Sequence, residues 1–388
     1  MYASWDPEPQ PVDNYLRRAL RLPQNVPQNS YMSVVTSIIE LTTTKGNKLA
    51  HELEIGANGE VAFASLREPA WHKLGTVFED EVTTSDMLKL AHLDNWNVRL
   101  EELAFPEGYV SDKTNYFVCR TNPFDKTQND VLGVVGERYH TLQNEDLFTF
   151  GDNLLDGGGR WETAGSIKGG RVVFGSLALD NSITLDPNGR ADKIDNYLLI
   201  NTSHDGSISI MASITPVRVV CANTLNLALG GGIGSNRKVK QSFKIRHTQT
   251  ADGKVQVARE ALGLAQTYLD EFSVMANAMI ETDVTKAEFD KIVALAYPAP
   301  EKDSKGSFKK HNDKIDLIND IYVGDFNNTI TGTAWGTLNA LTERLDWHRT
   351  ARGGNTENIL AGASGFDPAI TAEKNRLARV VASVMLGV

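Results

Sequence analysis

Cysteine is nearly absent from this sequence. Two occur in 388 residues, Cys119 and Cys221, so neither a disulfide framework nor a cysteine-based zinc site can be assembled. The eight histidines show no HxxxH or HExxH spacing, which removes the common zinc motifs. No metal and no cofactor are expected. No run approaches the ~18 consecutive apolar residues of a membrane helix, and the N-terminus lacks the basic-then-apolar order of a signal peptide. The expected setting is therefore the cytoplasm, without membrane contact. Positive charge is also in deficit: 39 Lys and Arg face 49 Asp and Glu, a net charge of -10. Binding to nucleic acid would have to come from a local patch, because the global field is repulsive.

What is present describes an ordinary folded protein of more than one unit. Apolar residues make 41% of the chain and charged residues 23%, within the range of globular domains, and the length suits two of them. Five of the thirteen prolines, Pro7, Pro9, Pro11, Pro23 and Pro27, fall in the first thirty residues, where each fixes φ and removes a donor. Residues 1–49 read as a Pro-rich extension, or as an upstream artefact over residues 1–31 if Met32 is the start. The body runs over 50–250 and a helical region over 251–388.

Between Asn115 and Thr215 the apolar period is two, the mark of strands. Ile208, Ile210, Ala212 and Ile214 alternate with Ser207, Ser209, Met211 and Ser213, which predicts one core face and one mostly polar face. A hairpin joins Asn196–Ser203 to this strand through His204, Asp205 and Gly206, Asp-Gly being a turn pair. A second joins Trp161–Lys168 to Arg171–Leu179 through Gly169 and Gly170. A third pairs Asn115–Thr121 with Val131–Glu137, ahead of a helix from Asn144 to Leu155. Val217–Leu229 reads as a helix ended by Gly230, Gly231 and Gly232. After Thr250 the period becomes helical: a stripe from Val257 to Ile280 is followed by helices at Lys286–Leu295, Asn312–Ile321, Thr333–Asp346 and Thr371–Leu386, with Pro298–His311 a mobile loop. The fold class is α+β, an antiparallel sheet with hairpins followed by a mostly helical C-terminal part.

The densest charge feature is Ser235–Thr248, SNRKVKQSFKIRHT, which carries Arg237, Lys238, Lys240, Lys244 and Arg246 and no acid. On an extended backbone, Lys238, Lys240, Lys244 and Arg246 share one face with Ser242, opposite Val239, Phe243 and Ile245. Two readings stand: a row of cations along a phosphate backbone, with Phe243 stacking a base and Arg218 and Lys168 flanking it, or an edge strand whose lysines oppose aggregation. The cluster Gly230, Gly231, Gly232 and Gly234 is not followed by Gly-Lys-Ser/Thr and misses the GxGxxG spacing, so it reads as helix termination. Cys221, in VVCANTL, is a core thiol unless His204, His247 and Asn223 complete a triad around it. Glu79, Asp80 and Glu81 form a solvated run, and the stripe Ala334, Trp335, Leu338, Leu341 and Leu345 reads as core.

Several strings go beyond pattern: AHELEI (Ala50–Ile55), PAWHKLGT (Pro69–Thr76), RYHTLQNEDLF (Arg138–Phe148), NTSHDGS (Asn201–Ser207), TPVRVVCANTLNLAL (Thr215–Leu229), IRHT (Ile245–Thr248) and GTAWGTLNALTERLDW (Gly332–Trp347). In this order they resemble the phage/plasmid-like protein family, domain of unknown function 932, from Ala50 onward. The first 49 residues stand outside the resemblance, and AWHKLG replaces the family's PWHGLG. The resemblance implies the company of phages, prophages and plasmids and supplies no mechanism.

Without a convincing catalytic set, the sequence favours a non-enzymatic role. The first expectation is an accessory of DNA metabolism that binds or anneals single-stranded DNA, self-associating through its C-terminal helices. This rests on fold-level analogy with phage annealing proteins. The alternative is a protein-interaction or host-modulating factor without nucleic-acid binding, which the acidic balance favours.

Overall fold

The computed structural model describes residues 53–67, 74–103, 114–155, 159–186, 189–218, 223–224, 242–245, 269–301, 305–348 and 368–386. The Pro-rich extension lies outside them.

Alternation in the middle of the chain yields strands. The three expected hairpins are present. β4 (Asn115–Thr121) pairs with β5 (Asn129–Gly136), after β3 (Arg99–Glu102), in a three-stranded antiparallel sheet. β6 (Arg160–Ile167) pairs with β7 (Val172–Ala178), and β9 (Asp192–Ser203) with β10 (Ile210–Arg218). The last two hairpins belong to a nine-stranded sheet of order β11-β10-β9-β7-β6-β1-β2, in which β8 (Ile183–Leu185) pairs with β9 and β12 (Ser242–Ile245) with β10. Here β1 is Phe63–Leu66, β2 is Thr76–Phe78 and β11 is Asn223–Thr224. Only the β1–β2 pair among the named strands is parallel.

The β9–β10 connection is wider than a two-residue turn. Gly206 takes φ +75°, Asp205 Oδ1 accepts the Ser207 amide at 2.9 Å, and the Ser203 hydroxyl bonds the Ile208 backbone. This side-chain turn replaces the tight Asp-Gly hairpin.

Two helices, α1 (Thr84–Leu90) and α2 (Asn144–Leu154), cover one face of the large sheet. Phe148 of α2 stacks on Trp161 of β6 at 4.7 Å between ring centroids, and Trp161 Nε1 donates to the Thr84 hydroxyl at 3.0 Å. On this face Trp161, Leu177, Leu198, Ile200, Ala212 and Ile214 belong to the main core.

The second face departs from expectation. Met211 and Ser213, expected on the mostly polar face, are buried, as are Thr215, Leu199 and Asn201 beside them. A smaller apolar cluster of Leu53, Val61, Phe63, Ile167, Val172, Phe174 and Leu199 occupies that side, so both faces are covered.

The C-terminal part is helical: residues 269–281 (α3), then α4 (Lys286–Ala296), α5 (Lys305–Val323), α6 (Ala334–Trp347) and α7 (Pro368–Leu386). Of the long stripe, Leu269, Phe272, Ala276 and Ile280 are buried, while Val257 to Tyr268 lie outside the described residues. α6 starts at Thr333, whose side chain accepts the Gly336 amide, and buries Trp335, Leu338, Leu341 and Leu345. Thr337, Asn339 and Thr342 are buried as well, returning hydrogen bonds to carbonyls of their own helix. The sheet face and these helices share one apolar cluster.

Two expectations are corrected. Val217 and Arg218 do not open a helix: they continue β10, paired with Asp195 and Ile194 on one side and with Thr224 and Asn223 of β11 on the other. Ladder pairing on both sides overrides the helical look of that run. The presumed loop Pro298–His311 is helical from Lys305, since only one side of α5, with Ile318, Ile321 and Tyr322, must pack and the other can stay charged.

Candidate nucleic-acid interface

β12 is the part of the basic segment that the structure describes. It joins β10 with Ser242 opposite Ser213, Phe243 opposite Ala212, Lys244 opposite Met211 and Ile245 opposite Ile210. Among the described residues no strand pairs with its other side, so it is an edge. Phe243 thus holds a register position in the row of Ala212, Ile200 and Gly175 on the helix-packed face, and Lys244 one in the row of Met211, Asn201 and Phe174 on the opposite face. Arg237, Lys238, Lys240 and Arg246 lie outside the described residues, as do Cys221, His247 and the glycines from Gly230 to Gly234.

The two flanking cations occupy opposite ends of the sheet. Lys168 sits in the β6–β7 turn, beside the Ile167–Val172 pair that leads through Ser203 toward the start of β10 and the Ile245 end of β12. Arg218 closes β10 at its far end, against Ile194. Lys168 shares an end of the sheet with Ile245, but β7, β9 and β10 lie between them, ~19 Å at ~4.8 Å per strand, and Arg218 stands five residues beyond Ser213, the partner of Ser242, ~17 Å at ~3.3 Å each, so the structure brings neither cation onto β12.

The Lys168 turn is held rigidly. Lys168, Gly169 and Gly170 take φ of +58°, +64° and +82°, a left-handed run that glycine tolerates best. Gly170 lies directly on the Arg120 guanidinium. Arg120, 1% exposed, donates from Nε to Asp130 at 3.0 Å and from Nη1 to Glu54 at 3.0 Å, and its guanidinium carbon lies 3.9 Å from the Trp96 ring centroid. Ser166 of β6 donates to the same Glu54 carboxylate at 2.7 Å. Arg120 therefore ties the small sheet to the large one below the turn. Nothing in the sequence marked it, because Glu54, Trp96 and Asp130 converge only in the fold.

His204 has a structural place beside this network. It is buried, its Nε2 is 3.0 Å from Asn144 Oδ1, and its ring lies 5.7 Å from that of Trp96. Asn144 in turn donates to the Leu93 carbonyl at 2.8 Å. Cys119 is buried too, and burial first, then the charge of Glu101, pushes its thiol up to about 11, out of the range of a nucleophile at neutral pH. Burial likewise pushes the Tyr197 hydroxyl up, with Glu162 and Asp195 adding to the effect. Glu79, Asp80 and Glu81 are exposed, as expected of a solvated run. Among the described residues no three His, Cys, Asp or Glu side chains gather as a metal site, and no helix is long and apolar enough to cross a membrane.

The interface that these positions allow is a strand edge. Asn201, Ser213 and Thr215 offer amide and hydroxyl groups on the Lys244 face, with no hydrogen-bond partner for these atoms among the described residues, but all three are buried. At these β9 and β10 positions the face is closed to a polymer. Among the described residues, the side of β12 away from β10 has no strand partner.

The sequence model of the family described as Domain of unknown function (DUF932) matches residues 131–363, more than half of the chain. This span takes in both large-sheet hairpins, β12 and α4 to α6. Neither a curated protein nor a solved structure matches the chain.

Proposed function

We propose, from the premise that the chain belongs to the DUF932 family, that it is a non-catalytic accessory of phage or plasmid DNA metabolism that binds single-stranded DNA along the β12 edge. The observation that carries this reading is the position of β12. The most basic stretch of an acidic chain has its described strand at the rim of the sheet, paired on one side by β10. A strand there can present cations to successive phosphates while the neighbouring bases remain splayed, and it needs no catalytic group. Self-association through the helical part belongs to the same reading. Val274, Leu295, Val323 and Phe326 are large apolar side chains exposed on that part, Val274 by 72% and Val323 by 65%.

The test is fluorescence anisotropy of a labelled single-stranded oligonucleotide at several salt concentrations. Each neutralised phosphate contributes about 0.7 to the log-log salt slope of single-strand binding, so replacing Lys238, Lys240 and Lys244 by Ala should flatten it by ~2. Equal, weak binding by parent and variant would remove this reading.

The same edge favours one alternative. The side of β12 that has no strand partner among the described residues can accept an added strand from a protein partner, and the net charge of -10 suits a protein partner better than a polyanion. Binding of that kind should change little with salt, which separates it from phosphate contact.

A further inference from the structure

Four helices of the C-terminal part meet at one aromatic ring. Tyr297 follows α4 and is 9% exposed. Lys314 of α5 places its ammonium 4.8 Å from the ring centroid, and the guanidinium carbons of Arg344 on α6 and Arg376 on α7 lie at 5.4 and 5.9 Å. All three fall within the ~6 Å reach of cation–π attraction. One ring does not offset three neighbouring positive charges in a partly desolvated place, and the counter-charge nearby is small. Glu373 is held by Arg376 through two hydrogen bonds of 2.8 Å, and Arg376 also donates to the Ala296 carbonyl at 2.8 Å. Lys314 and Arg344 form no ion pair among the described residues. Arg344 Nε is buried there without a hydrogen-bond partner, and the buried Tyr297 hydroxyl has the Arg344 guanidinium as its polar neighbour without a well-formed hydrogen bond.

The field of the surplus charge reaches its neighbours. Lys314 is held below the usual lysine range by burial first and by Arg344 second. His348, at the end of α6, is lowered by the same two causes in the same order. Burial raises the Tyr297 hydroxyl, which keeps it protonated and able to donate. The group thus presents an ammonium, a guanidinium with a free Nε–H, and a phenol. Its fourth member, Arg376, is fixed by Glu373 and forms a wall of the site.

We propose that Lys314, Arg344 and Tyr297, with Arg376 as a fixed wall, form a binding site for the phosphate group of a small phosphorylated ligand. A guanidinium and an ammonium side by side match the oxygens of a dianionic phosphate, the first as a directed fork and the second as a point charge. Bound phosphate would supply the counter-charge that the cluster lacks and partners for both donors. The site belongs to the helical part and is independent of β12.

The experiment is isothermal titration calorimetry of the full chain with inorganic phosphate and, separately, with phenyl phosphate, at ionic strength matched by potassium chloride. One saturating event is expected for at least one of the two, with dissociation in the ~1 mM range or tighter. Lys314→Gln and Arg344→Gln should each weaken it ~10-fold or more. Lys314 is half-exposed, so its variant should fold even if Arg344→Gln does not, and circular dichroism checks this. Saturation by phenyl phosphate alone identifies an ester site, and saturation by inorganic phosphate a site for the free anion. Absence of saturation with both probes overturns the proposal, as does equal binding by parent and folded Lys314→Gln. Replacing Lys238, Lys240 and Lys244 by Ala should leave phosphate binding unchanged, which keeps failure of the nucleic-acid reading distinct from failure here.

Discussion

Trp335 Nε1 donates to Asp192 Oδ2 at 2.9 Å, across 143 residues of sequence. Both side chains are within 1% of complete burial. The first lies in the opening turn of α6 and the second is the opening residue of β9, so this bond joins the helical part to the large sheet inside a shared core.

Trp335→Phe tests whether the two parts unfold together. The variant keeps an aromatic ring near Phe272, whose centroid is 6.0 Å away, and deletes only the indole donor. Loss of a buried hydrogen bond to a carboxylate should cost ~1–3 kcal/mol. Helical circular dichroism and tryptophan fluorescence should move to lower urea in step. Two separate transitions would show that the junction does not couple the parts.

Arg120 should be among the least replaceable residues. Arg120→Met leaves the Glu54 carboxylate, 9% exposed, without its guanidinium, and breaking a buried pair in this way costs ~3–5 kcal/mol. Adding Glu54→Leu should recover part of that loss, because the orphaned charge is then gone. Urea denaturation of the single and double variants measures the coupling, and additive losses would count against the pairing as the source of stability.

Neighbouring glycines in the Lys168 turn should respond differently to alanine. At Gly169 an added Cβ meets nothing within 4 Å, so the cost is the left-handed backbone alone, ~1–2 kcal/mol. At Gly170 the Cβ would also collide with the Arg120 guanidinium, adding ~1–3 kcal/mol of overpacking. Melting curves of the two variants compare them directly, and equal shifts would remove Arg120 as the support of the turn.

Much of this fold was legible in the sequence because its signals are local. Alternation with Asp-Gly and Gly-Gly located the hairpins, and Thr333 ahead of an apolar stripe located α6. Three features escaped for reasons of tertiary context. Val217 and Arg218 became strand through ladder partners on both sides. α5 begins at Lys305 within a stretch too polar to show a periodic face. Met211 and Ser213 read as positions of a mostly polar face because alternation reports one covered face and cannot announce a second. The candidate positions were less legible still. The basic run leaves an edge strand as one of two readings, and pairing with β10 puts its described strand at the edge among the described residues. Tyr297 caps the end of α4, and Lys314, Arg344 and Arg376 come from three further helices, with no spacing to betray them.

The buried thiol of Cys119 gives a pH-dependent expectation. Its pKa is raised from an ordinary 9.0 to about 11, so folding favours the protonated form. The associated stability is complete below about 9 and is lost as pH rises toward 11. In a Cys221→Ser background, iodoacetamide at pH 8 should alkylate the native protein far more slowly than the urea-unfolded one. Rapid native labelling would mean that the site opens readily.

Phe243 and Lys244 are adjacent in sequence and hold register positions on opposite faces of β12, so their replacements should separate folding from binding. Phe243 stands opposite Ala212, in a row that continues to the fully buried Ile200 on the helix-packed side. Phe243→Ala should therefore act as a core truncation, with losses of ~3–5 kcal/mol at most and less if the edge relaxes. Below its melting temperature, the salt slope for single-stranded DNA should equal that of the parent. Lys244→Ala should leave stability within ~0.5 kcal/mol and flatten the slope by ~0.7 if it meets a phosphate. Urea midpoints and anisotropy titrations on the same two preparations decide the matter. A Phe243→Ala protein of parental stability that binds DNA more weakly would place the ring against a base, and an unchanged slope for Lys244→Ala would take this cation out of the interface.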